Sequence, residues 1–521
     1  MQATLPIGKS TVRKLYESRG LVSLIPSYFQ LRAEFCFGNA PEAPYSEDSK
    51  KCLSSRIQML RRNEPVGLVF QRWMGEGLPI QRGDIFNAIN RLRKRKFDGR
   101  ALEVIEWVIR ERPYRLRELE YSYLLEFTVK IHGISHGEQL FCRIPCEYQN
   151  ELLYNNLVLA CLEKGVIKLS LDYMKKMREL GHSISHLVFN RLIIMHSTPG
   201  RRQMIPQLLA QMKADKVISH VSTFNILMKI ESNDHNIDQL MLVFADMRKK
   251  KVEPNEISFC ILATAHVVAR LFSAAESFVE AVENSATGTN WSTHDVLMML
   301  YGYLEKEKEL HRTWKIILER PFVDTKSYLI AIEAFGRMNR ITTAEELWQT
   351  MKSKKGANST EQFNSMLSVY SRHGFLKKAS PILREMEKIG CKPNAITYRH
   401  LTLCCIRAGL AEEAMKTLRK SGSFATSKKV KNSAPWLETT LAIAEAFAER
   451  GDVKNAEKLF GELEESKYTR YGFAHNSLIK GYVKAKLYVP DLLRRMILAG
   501  ARPDAETYSL VKLVEQFKKN T

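Results

Sequence analysis

Asparagine carries a hydrogen-bond donor and an acceptor on one planar group, and this chain sets asparagines on a beat. Asn155, Asn190 and Asn225 lie 35 residues apart, and Asn364 and Asn476 occupy the same phase further on. Such an amide can meet the donor and acceptor edge of a flat polar ligand, of which an unpaired nucleobase is the common case. Asparagine is also at home capping a helix start, but five in one column favour ligand contact. Other chemistry is sparse. His136 and Glu138, with Cys146 after Pro145, imitate the zinc site of nucleobase deaminases, yet Gln149 stands where the second cysteine is needed and Glu138 lies only seven residues before Pro145. No P-loop, glycine-rich dinucleotide turn, G-x-S-x-G or H-E-x-x-H occurs. The chain therefore reads as a non-enzyme with no metal, no cofactor and no small-molecule substrate.

The balance of charge points to a polyanion. Lys and Arg number 79 against 57 Asp and Glu, a formal charge of +22, which fits a nucleic-acid partner better than a peptide groove. The densest cluster, Arg91, Arg93, Lys94, Arg95 and Lys96, is a candidate phosphate contact. Nine cysteines without a C-x-x-C pair support neither a disulfide framework nor a zinc ribbon. No apolar run is long enough to span a membrane. The first 33 residues hold five basic groups and only Glu17 as an acid, which reads as an organelle transit peptide. Residues 1–45 are assigned to that leader.

A repeat must position the asparagines. An aromatic or its substitute recurs at Tyr154, Phe189, Phe224, Phe259, His294, Tyr328, Phe363, Tyr398, Thr440, His475 and Tyr508, at intervals of 33 to 35 residues except for one of 42. Twenty-three residues after it lie Met177, Met212, Met247, Met351 and Met386; sixteen after it lie Ala275, Ala344, Ala379, Ala414 and Ala456. Gly374, Gly409 and Gly451 break the chain at one phase between. Each unit is thus two short helices with a tight turn, and the Met and Ala columns are core. A single hairpin cannot bury its apolar stripe, so the units must stack into a curved all-α array.

The starts "LLYNNLVLACLEKG" and "TEQFNSMLSVYSRHG", the mid-unit "AEELW", the late "MRELG" and "MEKIG", and a closing Pro-Asn or Pro-Asp resemble the pentatricopeptide repeat of plant organelles, and the near-constant 35-residue length looks like its P-type subclass. The resemblance implies a right-handed α-solenoid superhelix of about ten to twelve helix-turn-helix repeats. Residues 46–118 are read as a basic helical N-terminal region with a degenerate repeat, 119–421 as the array, 422–436 as an inserted polar loop, and 437–521 as degenerate repeats with a capping helix.

It also implies that the residue after the aromatic, together with the last residue of the same unit, contacts one base of single-stranded RNA. Carried over, the pairs are Asn155 with Ser185, Asn190 with His220, Asn225 with Asn255, Asn364 with Asn394 and Asn476 with Asp504. Cys260 with Asn290, Asp295 with Asp324, and Leu329 with Ser359 fill the other places. Cys260, Leu329, Arg399 and Leu441 cannot make the usual amide contact, which implies a short or interrupted, pyrimidine-biased site. The function implied is a non-catalytic RNA-binding protein of an organelle, acting in transcript stabilisation, processing, splicing or translation. The alternatives are a ribosomal component that clasps ribosomal RNA and ribosomal proteins, and a protein-binding scaffold. The mitochondrion is preferred to the chloroplast because the leader bears arginine and is not especially rich in serine.

Overall fold

The computed structural model describes residues 52–520 apart from 62–63, 199, 286–290, 321, 425 and 427; the expected leader lies outside the described residues. Every regular element among them is a helix. The described chain forms two units, residues 52–223 and 224–520, and each is a stack of helical hairpins.

The two helices of a hairpin differ because their surroundings differ. The first helix Thr360–His373 buries every residue from Gln362 to Ser371, whereas its partner Leu376–Lys388 buries only Ala379, Ile382 and Met386. A helix enclosed on most sides is apolar all round; an outer one is amphipathic. First helices therefore pack on each other along the stack, and second helices cover them. Where two first helices approach most closely the side chain must vanish. A Cβ on Gly302 would lie 2.8 Å from Ala334 Cα, and one on Gly481 would lie 2.8 Å from Ala448 Cβ. The sequence columns sit in the core as expected: Met177, Met212, Met247, Met351 and Met386 are at most 1% exposed, and Ala275, Ala344, Ala379, Ala414 and Ala456 likewise.

The turn inside each hairpin is made the same way throughout. Eleven residues after the register position the backbone turns left-handed, at Gly165, Gly374, Gly409 and Gly451 but also at His235, Arg270, Glu305, Asn339 and Lys486. Glycine adopts this conformation freely and the others do so at a cost. Three glycines revealed the turn in the sequence; the structure shows that five non-glycine residues make it too.

The segment expected as a polar loop, 422–436, is partly helical. It contains the turn Lys428–Lys431, and its last residues open the helix Ala434–Glu449, with Pro435 in the first turn and Trp436 only 2% exposed. Proline is pre-organised for a helix start, so the Ala-Pro-Trp that looked like loop is an initiation signal with a core anchor.

Within the second unit, contacts also join repeats far apart in sequence. Lys467 pairs with Asp234 at 3.1 Å, Arg470 donates to the Asp234 carbonyl at 2.9 Å, and His235 Nδ1 lies 3.2 Å from the Tyr471 hydroxyl. Arg502 pairs with Asp238 at 2.8 Å.

Candidate nucleic-acid interface

The residue after the aromatic, here called the fifth place of its unit, sits in the first turns of a first helix, and Ser185, Asn255, Asp324, Ser359, Asn394 and Asp504, the last residues of their units, cap the next first helix. The clearest node is Asn225 with Asn255. Asn225 Nδ2 donates to Asn255 Oδ1 at 3.1 Å, and Ser258 Oγ donates back to Asn225 Oδ1 at 2.7 Å. Asn255 caps the helix Glu256–Val268 by accepting from the Ser258 backbone at 3.1 Å, while its own N–H is taken by Ser258 Oγ. This is a capping box with one more amide wired into it.

The same node is built again with other side chains. Asn364 donates to Asn394 at 3.4 Å and accepts from Thr397 Oγ1 at 2.8 Å. Asn476 donates to Asp504 at 3.1 Å and accepts from Thr507 Oγ1 at 2.7 Å. Asp295 and Asp324 share the Ser327 hydroxyl, each at 2.8 Å. Burial pushes the Asp295 carboxyl up to about 6 even though Ser327 and Arg320 favour its charge.

The first unit uses variants. Asn155 is held by backbone: its amide nitrogen donates to the carbonyls of Glu151 and Ser183 at 2.8 and 2.9 Å, and its oxygen accepts from Ser185 N–H at 2.7 Å. Asn190 reaches His220 only through Ser222, donating to its hydroxyl at 2.9 Å while His220 Nδ1 lies 3.1 Å from the same oxygen. The Asn190 carbonyl oxygen is buried without a partner among the described residues. Asn290 lies outside the described residues.

Inner and outer members of a node play different parts. Asn225, Asn364 and Asn476 are 2%, 4% and 1% exposed, so the fifth-place amide is largely spent on the fold. Asn255 and Asp504 are exposed and Asn394 is half-buried. The outer residue presents the polar edge: amide hydrogens at Asn255 and Asn394, a carboxylate at Asp504. Hydrogen bonds from Thr507 and Asn476 hold that carboxyl below its ordinary range against the opposing effect of burial.

Where the fifth place departs from asparagine, the structure fills it with core. Cys260, Leu329 and Leu441 are 2%, 4% and 2% exposed. Arg399, 2% exposed, lies with its guanidinium 3.6 Å from the centre of the Trp436 ring and donates to Thr440 Oγ1 at 2.6 Å and Glu462 at 2.5 Å. Its cation is neutralised and stacked internally.

The basic cluster near residue 91 divides. Arg91 donates to Ser55 at 3.0 Å, and Arg93 pairs with Glu126 while lying over the Tyr123 ring at 5.0 Å. Arg95 and Lys96 are exposed, and Lys94 is the last residue of the helix Arg82–Lys94. A second basic column escaped the sequence reading. Arg337, Arg372 and Arg407 lie 35 residues apart at the ends of consecutive first helices, a spacing that could have revealed them. The deaminase-like residues do not converge: His136 bonds the His132 carbonyl, Glu138 accepts from Tyr173, and no cluster of three metal-ligating side chains occurs among the described residues.

Comparison with known proteins agrees with the repeat. Residues 358–407 match the profile of the PPR repeat family, 207–267 that of the pentatricopeptide repeat domain and 326–355 that of the PPR repeat. A mitochondrial pentatricopeptide repeat-containing protein of Arabidopsis thaliana is 60% identical over 471 residues, covering 90% of this chain and 88% of the relative. A second mitochondrial protein of the same family from that plant is 27% identical, covering 87% and 75%. Among solved structures, the pentatricopeptide repeat protein PPR10 in complex with an 18-nt psaJ RNA element aligns over 90% of this chain and 77% of its own, at 16% identity and a TM-score of 0.39. On the 60% identity over nearly the full length, the chain is a mitochondrial member of the pentatricopeptide repeat family.

Proposed function

We propose that the protein binds single-stranded RNA of the mitochondrion and holds one transcript segment without catalysing a reaction. The observation that carries this is the node repeated at Asn225, Asn364 and Asn476, in which a buried amide orients an exposed or half-buried polar partner at the start of the next helix. Amides and carboxylates presented at the starts of successive or alternate hairpins suit the edges of unpaired bases along a strand, with interruptions at Cys260, Leu329, Arg399 and Leu441. A charge of +22 supplies sequence-independent attraction for the phosphates. By occupying its segment the protein would protect a transcript end, remodel a fold, or assist processing, splicing or translation. The near-constant repeat length supports the P-type subclass.

A second reading has its own support. Core residues at Cys260, Leu329, Arg399 and Leu441 remove base contacts from much of the second unit, which suits a part of the mitochondrial ribosome that grips ribosomal RNA by shape and charge. Sequencing the nuclease-protected RNA that co-purifies with the tagged protein from mitochondria separates the two. One short footprint in a messenger or intron supports the transcript reader. Ribosomal RNA recovered together with ribosomal proteins supports the ribosomal role.

A further inference from the structure

Arg337 and Arg372, two members of the second basic column, are already occupied. Glu438, on the helix Ala434–Glu449, lies against the ends of two first helices that precede it by 66 and 101 residues. Arg337 Nη2 donates to Glu438 Oε2 at 2.5 Å, Arg372 Nη2 donates to the same oxygen at 3.2 Å, and the Tyr303 hydroxyl donates to Oε1. Arg337 also donates to the Tyr303 oxygen at 2.7 Å, and its guanidinium lies 3.7 Å from the centre of that ring.

Two guanidiniums and a phenol around one carboxylate form a receptor for an oxyanion, because the donors match carboxylate and phosphate oxygens alike. The receptor carries one more positive charge than its occupant neutralises. Glu333 stands near it, but burial pushes that carboxyl up to about 7 and leaves it a weak counter-charge. The site also keeps an open edge, since the Arg337, Glu438 and Arg372 side chains are 14%, 21% and 28% exposed. Such a pair adds little net stability for its desolvation cost, yet leaving its arginines without an anion is costly, so Glu438 can leave only when another oxyanion takes its place. It is well suited to exchange one anion for another.

We propose that Tyr303, Arg337 and Arg372 form an oxyanion site that Glu438 fills in the free protein and that a backbone phosphate of bound single-stranded RNA takes over. The Glu438 side chain is then an internal clasp that RNA must displace, while the helix Ala434–Glu449 stays packed in the stack through Trp436, Leu441 and Phe447. This rests on the RNA-binding reading above and adds the site, the internal competitor and the order of events.

The test compares the full chain with Glu438→Gln, which keeps shape and one acceptor oxygen but removes the competing charge, using a fluorescent random-sequence single-stranded RNA. The variant should bind on the order of tenfold more tightly, the scale of one charge-assisted hydrogen bond. Adding Arg337→Gln and Arg372→Gln to it should abolish that gain. Thermal melting monitors folding, and Glu438→Asp, which keeps the competing charge, should show no gain. Wild-type binding with an unchanged Glu438→Gln overturns the clasp alone. Binding by neither chain overturns the RNA-binding reading and the clasp with it.

Discussion

Asn364 donates its side-chain amide to Asn394 at 3.4 Å, and Asn394 caps the helix that begins at the next residue. The two residues that resemble a base-reading pair are thus also a joint between consecutive hairpins. Ligand recognition and stacking share the same atoms, so a substitution there acts on both and the two effects must be measured apart.

Asn364→Ala should cost about 1 kcal/mol of stability, the usual net value of a buried hydrogen bond, because Thr397 keeps Asn394 as a partner at 3.1 Å. Asn364→Thr should fold and shift preference toward a purine at one position of the bound RNA. Selection of bound sequences from a random pool reads the outcome. An unchanged preference in a folded variant would leave this column with a structural role only.

Glu305 turns left-handed at φ 55° in the hairpin turn where other repeats carry glycine. Glu305→Gly should stabilise the protein by up to about 1 kcal/mol, relief of left-handed strain exceeding the added entropy of the unfolded chain. A urea midpoint no higher than that of the wild type would refute this.

Gly302 allows two first helices to approach closely, with only 2.8 Å between its ideal Cβ position and Ala334 Cα. Gly302→Ala should destabilise by about 1–3 kcal/mol. Because backbone blocks the space, repacking of side chains cannot relieve it. The same urea titration serves, and wild-type stability would show that the helices can move apart at little cost.

Burial, reinforced by Arg470, Lys229 and Lys467, pushes the His235 pKa down to about 3. The folded protein therefore keeps this ring neutral, and the stability it contributes is complete above the ordinary pKa of 6.5 and lost as the pH falls from there toward 3. The slope reaches about 1.4 kcal/mol per pH unit. His400, also pushed down to about 3, adds to the same limb. His235→Gln should melt lower at pH 7.5 yet show a flatter dependence of Tm on pH between about 6.5 and 4. A dependence parallel to the wild type would mean that the ring is not held neutral.

If Lys and Arg hold the strand, RNA affinity should fall steeply between about 50 and 200 mM salt. Filter binding across that range gives the slope, and a flat line would remove phosphate contact from the account.

The helical hairpins were legible because their signal is repeated: one Met or Ala proves little, but Met177, Met212 and Met247 at a fixed interval can only be a buried stripe. The pairing of the residue after the aromatic with the last residue of its unit came from the family resemblance, and at Asn225, Asn364 and Asn476 a direct hydrogen bond joins the two members. Which member faces outward was not legible, since asparagine has the same chemistry whether it caps a helix or meets a ligand. The Arg337–Glu438 contact was invisible for a different reason. Its partners are 101 residues apart, belong to different phases of the repeat and occur once. Arg399 was read as a failed base contact, and only the ring of Trp436 beneath it shows that the position had gained another purpose.

The contacts of Asp234 and His235 with Lys467, Arg470 and Tyr471 span more than 230 residues. Hairpin arrays ordinarily depend on nearest neighbours alone and can form as they emerge. Here the hairpin Val221–Asn233 with Ile237–Lys249 keeps an unmet surface until almost the whole chain is present. That surface should therefore stay open, and the second unit incompletely packed, until the last repeats are in place. Amide exchange in that hairpin should be faster in a chain ending before Lys467, which makes the order of folding measurable.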